Sequence, residues 1–112
     1  MNIRQLKCDV RDRLQSRLGG KVKAHTKQGL IDLLTETEVI EIWASERWMD
    51  GVGHVLAKSH KYPNHTKRLH LFGPDDSILE PIVESCEDLN IRVTFEKVER
   101  LKGAGDRILT QK

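Results

Sequence analysis

Apolar residues recur at three- and four-residue steps over residues 3 to 18, at Ile3, Leu6, Val10, Leu14 and Leu18, the spacing of an amphipathic helix. Gly19 and Gly20 supply its C-terminal stop. The period then shortens. "KVKAHT" alternates weakly, "KQG" makes a tight hairpin, "LIDLL" follows as a strand, and "TETE" turns the chain into "VIEIW", so residues 21 to 43 read as a three-strand meander. From Ser45 or Glu46 to about Lys61 the helical period returns, with Trp48, Val52, Val55 and Leu56 on one stripe and Arg47, Gly51, His54 and Lys58 on another. "YPN" ends that helix, because proline disfavours a helical residue before it. "RLHLF" is a short strand and "GPDD" a turn. Ser77 with Glu80 makes a capping box for a helix whose inner face is Ile78, Ile82, Val83, Cys86 and Leu89, and "IRVTF" closes as a strand. The order α-β-β-β-α-β-α-β predicts an α/β (α+β) fold, a mixed β-sheet core flanked by helices.

A chain of 112 residues, 38% hydrophobic, supports one core, so residues 1 to 100 are read as a single domain and residues 101 to 112 as a basic C-terminal tail. No signal-peptide or membrane-spanning run is present, which predicts a soluble, cytoplasmic or otherwise intracellular protein with no membrane partner. Cys8 and Cys86 fall in helical patterns with no histidine at zinc-site spacing, so both are expected as reduced thiols.

The net charge of +2 does not mark a nucleic-acid protein, but its distribution is uneven. "KSHKYPNHTKRLH", from Lys58 to His70, contains no acid. Either this is a solvated helix end and loop, or it faces phosphate, in which case Lys61, Lys67 and Arg68, with Arg47 from the preceding helix stripe, are the DNA-binding candidates. The two acids inside apolar strands, Asp32 and Glu41, need a partner, because burying an unpaired carboxylate is costly. They are either edge-exposed and salt-bridged or a hard-cation site.

"GLIDLLTETEVIEIW", Trp48, "GHVLAK" and "KRLHLFG" together resemble the PD-(D/E)XK nuclease superfamily, in particular its small stand-alone endonuclease and Holliday-junction-resolvase-like members. The resemblance covers roughly residues 5 to 96. It implies a restriction-endonuclease-like sheet and a metal-dependent endonuclease hydrolysing DNA phosphodiester bonds, with Mg2+ (or Mn2+) as its cofactor, no small-molecule cofactor, and DNA and a second copy of the chain, as a homodimer, as its partners. Asp32 and Glu41 would be metal ligands, the backbone carbonyl of Ile42 a third, and Asp9, rather than Asp12, a further acid from the first helix. Three positions depart from the pattern, one of them His54, which stands where it has a glutamine. Trp43 stands where the superfamily has its lysine, and Lys58 stands where it has an aromatic. The exchange looks reciprocal, and it implies that Lys58 enters the site from the helix, with His54 beside it on the same face. The alternative is a catalytically degenerate DNA- or junction-binding module, or an accessory subunit, that retains the fold.

Overall fold

The computed structural model describes residues 2 to 98; the basic tail expected at 101 to 112 lies outside them. Helix α1 (Ile3–Leu18) is capped by the Asn2 side chain, which accepts from the Gln5 N–H, and it ends at Gly19, whose positive φ suits only glycine well. Strands β1 (Lys21–Thr26), β2 (Gly29–Leu34) and β3 (Glu38–Ala44) form the meander. A 3-10 turn (Ser45–Arg47), helix α2 (Trp48–Lys58) and a second 3-10 turn (Ser59–Lys61) lead to β4 (Thr66–Gly73), α3 (Leu79–Glu87) and β5 (Ile91–Lys97). The expected element order holds: a mixed α+β fold on one five-stranded sheet in the order β1-β2-β3-β4-β5. β1, β2 and β3 are antiparallel, whereas β4 and β5 run parallel to β3, because each is reached by a helical crossover.

Helices cover both faces. Val55 of α2 with Ile82 and Cys86 of α3 pack on Ala24, Ile31, Val39, Leu69 and Leu71. Val10 and Leu14 of α1 pack on Leu33, Ile40, Ile42 and Phe72. Burial of both faces accounts for the continuous apolar runs "VIEI" and "LHLF" where one-sided strands would alternate.

Strict alternation fails at one place. Ile31 and its partner Ala24 belong to the α2 side, whereas Leu33 and its partner Val22 belong to the α1 side. The β1–β2 ribbon therefore turns over between these pairs, at Lys23 and Asp32. Lys23 takes a φ of 57°, and it drops out of the ladder with the residue opposite it. The same irregularity ends the β2–β3 ladder after Leu34↔Val39 and Leu33↔Ile40. Beyond that point the ribbon leaves the sheet plane and lies against the end of α2.

The capping box expected at Ser77 does not form. Ser77 donates both its N–H and its hydroxyl to Asp75 Oδ1, and α3 begins at Leu79 without a side-chain cap. Cys8 and Cys86 are both free thiols, as expected.

A buried polar chain crosses the sheet on β3, β4 and β5. Glu38 accepts from Arg68 at 3.2 Å and Arg92 at 3.0 Å, Arg68 also donates to the Thr94 hydroxyl, and that hydroxyl hydrogen-bonds His70 Nδ1 at 2.6 Å. Glu96 pairs with Arg13 of α1. Burial, helped by the nearby Arg68 charge and opposed by Glu96, pushes His70 down to about 4.

Two predictions test this packing. A Cβ at Gly51 would lie 2.6 Å from Leu69 Cδ1 and 3.0 Å from the Trp43 ring, so Gly51→Ala should cost about 1–3 kcal/mol in a denaturant melt despite alanine's better helix propensity. For His70, the folded and unfolded states bind protons alike above pH 6.5 and below about 4. Between those values the unfolded chain binds the proton and the folded chain does not, so stability falls as pH drops through this window, by on the order of 3 kcal/mol. His70→Gln should flatten that part of the stability–pH curve.

Candidate nucleic-acid interface around a closed acid pair

Where β2 and β3 part, the side chains of Asp32 and Glu41 take over the ladder's role. The Asp32 N–H donates to Glu41 Oε2 at 3.0 Å, and the Ile42 N–H donates to Asp32 Oδ2 at 2.8 Å. Each carboxylate thus satisfies a backbone donor that the splayed strands would leave unpaired. Glu41 is fully buried. Its Oε1 accepts from Lys58 Nζ at 3.0 Å and from the Trp43 indole N–H at 3.3 Å. Asp32 pairs with Lys7 Nζ at 3.2 Å. Burial lifts the Glu41 carboxyl above its ordinary value, reinforced by the neighbouring Asp32 charge and opposed by the Asp32 N–H and Lys58.

Lys58 thus reaches the acids from α2. It is itself buried, and its stem runs beneath the β1–β2 hairpin, where a Cβ on Gly29 would lie 3.4 Å from Lys58 Cε. Gly29 has a φ of 122°, so this close approach needs glycine for its backbone conformation as well. Two cations approach Trp43, Lys7 Nζ at 4.8 Å and the Arg47 guanidinium at 5.5 Å from the ring centroid, and the His54 ring lies 4.9 Å away. Arg47 and Lys61 stand in the 3-10 turns at either end of α2, and His54 is exposed between them.

The remaining candidates separate. Arg47 and Lys61 are exposed and Lys67 half-buried, but Arg68 is turned inward and its guanidinium is committed to Glu38 and Thr94, so it is not available to a phosphate. Asp9 accepts from Gln5 on its own helix, away from the acid pair. Ile42 enters the cluster through its N–H.

The donor set does not fit Mg2+ or Mn2+. Glu41 Oε1 already accepts two donors, Asp32 Oδ2 accepts the Ile42 N–H and is ion-paired with Lys7, and two ammonium groups balance the two carboxylates. Among the described residues, no three His, Cys, Asp or Glu side chains come together as a metal site.

Against the hairpin, α2's end forms a cleft of about 510 Å³ lined by His25, Thr26, Lys27, Gln28, His60 and Lys61. Lys61 Nζ also donates to the His25 carbonyl at 3.3 Å, which ties hairpin to helix. No acid lines this cleft. Its hairpin half was missed in the sequence, because His25 and Lys27 are distant from the 58–70 stretch and only the overturned ribbon brings them to it. Lys7 was missed too. Its signal is legible, since it lies three residues before Val10 and seven before Leu14, on the buried stripe of α1.

The Glu41–Lys58 pair yields a double-mutant test. Lys58→Met should cost about 3–5 kcal/mol in chemical denaturation, because it strands a buried carboxylate. Adding Glu41→Gln to it should recover most of that loss, and simple additivity of the two changes would disprove the coupling.

No protein-family model matches the chain, and no solved structure matches it. Three proteins of Acanthamoeba polyphaga mimivirus, all named as KilA-N domain-containing, are similar to it. One is 42% identical over 84 residues, 75% of this chain and 20% of the relative. A second is 30% identical over 89 residues, 80% of this chain and 36% of the relative. The third is 30% identical over 77 residues, 69% of this chain and 22% of the relative. The chain therefore spans between a fifth and about a third of the length of these relatives. Their shared KilA-N name overturns the resemblance to PD-(D/E)XK nucleases, and with it the expected metal-dependent endonuclease. The physical counterpart of that correction is the acid pair, whose oxygens are held by backbone N–H groups and ammonium ions.

Proposed function

We propose that this chain is a DNA-binding module that grips the phosphodiester backbone by charge. The observation that carries the reading is the acid-free cleft between hairpin and helix, where Lys27 and Lys61 are exposed and His25 and His60 line the same walls. Such a lining gives a polyanion two cations and no repulsion. Arg47, which is ion-paired with Asp50, lies with the His54 ring against Trp43 at the other end of α2. The KilA-N name of the three relatives supports DNA as the partner. An intracellular setting follows from DNA as partner, and among the described residues no helix is long and apolar enough to cross a membrane. A homodimer would double the short DNA footprint of one copy and align two grips on one duplex.

Fluorescence anisotropy with labelled duplex and four-way-junction DNA over a salt series tests this. Binding should weaken linearly in log salt, and Lys27→Ala/Lys61→Ala should reduce the slope by about 2, roughly one per lysine. An unchanged slope and affinity in the double variant would refute the cleft as the DNA contact.

A further inference from the structure

We infer that the ammonium groups of Lys7 and Lys58 stand where a hard divalent cation would otherwise neutralise Asp32 and Glu41, so that the cluster excludes metal while both are present and becomes a divalent-cation site when either is removed. The argument starts from charge. Asp32 and Glu41 bring two negative charges to one place, Glu41 with no solvent exposure at all, and Lys7 and Lys58 return two positive charges at 3.2 and 3.0 Å. A divalent ion added to this balance would raise the cluster to a net +2 in a buried setting, which is strongly unfavourable.

Ligand geometry leads to the same place. Two donors occupy Glu41 Oε1, and Asp32 Oδ2 accepts the Ile42 N–H and is ion-paired with the Lys7 ammonium. Glu41 Oε2 already accepts the Asp32 N–H. A cation approaching the Glu41 carboxylate would meet the Lys58 ammonium, which lies 3.0 Å from its Oε1. Removing that ammonium changes both terms at once: it frees a lone pair of Glu41 Oε1 and leaves the cluster one positive charge short. Lys58→Met keeps the length of the stem beneath Gly29 and deletes only the charge and its donors.

This inference does not depend on DNA binding, and its readouts are independent of any activity. The probe is Mn2+, followed by the loss of the free-ion electron paramagnetic resonance signal and by thermal melting at constant ionic strength. The natural chain should leave the free Mn2+ signal intact and melt at the same temperature with Mn2+ as with EDTA. Lys58→Met should deplete the signal by one ion per chain and melt higher with Mn2+ than with EDTA, and Asp32→Asn added to it should abolish both effects. Should Lys58→Met not fold, Lys7→Met, which uncovers the partly exposed Asp32, carries the same expected gain. Mn2+ binding by the natural chain that disappears in Glu41→Gln would overturn the inference, and so would a folded lysine variant with no response to Mn2+.

Discussion

The fully buried carboxylate of Glu41 is the constraint around which the rest of this structure is arranged. A charge taken out of water must be matched in place, and here the match comes from four directions: the backbone of β2, the Trp43 indole on its own strand, Lys58 from α2 and, through Asp32, Lys7 from α1. Each donor belongs to a different part of the fold or to a different strand register. The cluster therefore holds the separated edges of β2 and β3 together where ladder hydrogen bonds have stopped, and it ties both helical layers to that seam.

The overturned β1–β2 ribbon is the second half of the same arrangement. With Ile31 and Leu33 committed to opposite faces, the hairpin cannot continue flat beside β3. It crosses to the end of α2, covers the Lys58 stem with Gly29, and is pinned there by the Lys61–His25 hydrogen bond. Two basic segments far apart in the chain thereby become the two walls of one cleft. Lys58, which neutralises Glu41, is inside, and Lys27 and Lys61, which face solvent, have no acidic neighbour in the cleft. The proposed grip on DNA depends on that separation.

A lysine or arginine in a basic stretch is thus not one kind of residue. Lys58 and Arg68 are both buried and each is spent on a glutamate, Glu41 and Glu38 respectively, while Lys61 is exposed. The division follows burial: positions 58 and 68 point into packed layers, where a cation persists only beside a carboxylate. It also accounts for the failure of the nuclease resemblance to carry its chemistry across. Acids in the right strands at the right spacing serve equally well to pair backbone N–H groups and lysines, and the relatives bear the KilA-N name.

The sequence by itself determined the helices, the strands, their order and the mixed α+β class, because hydrophobic period and turn chemistry are local: Leu6, Val10 and Leu14 repeat at helical steps whatever lies beyond them, and Gly19 stops the helix on the spot. It also showed that Asp32 and Glu41 needed partners and that Lys58 shared a helix face with His54. Only the tertiary structure decided what those partners were. Strand alternation predicts one face for Leu30, Asp32 and Leu34, and the turnover of the ribbon at Lys23 and Asp32 cancels that rule through a single backbone irregularity with no sequence mark. Whether a carboxylate holds a metal or an ammonium ion, and whether a cation meets a phosphate or a glutamate, depends on distances between segments tens of residues apart, and those distances exist only once the chain has packed.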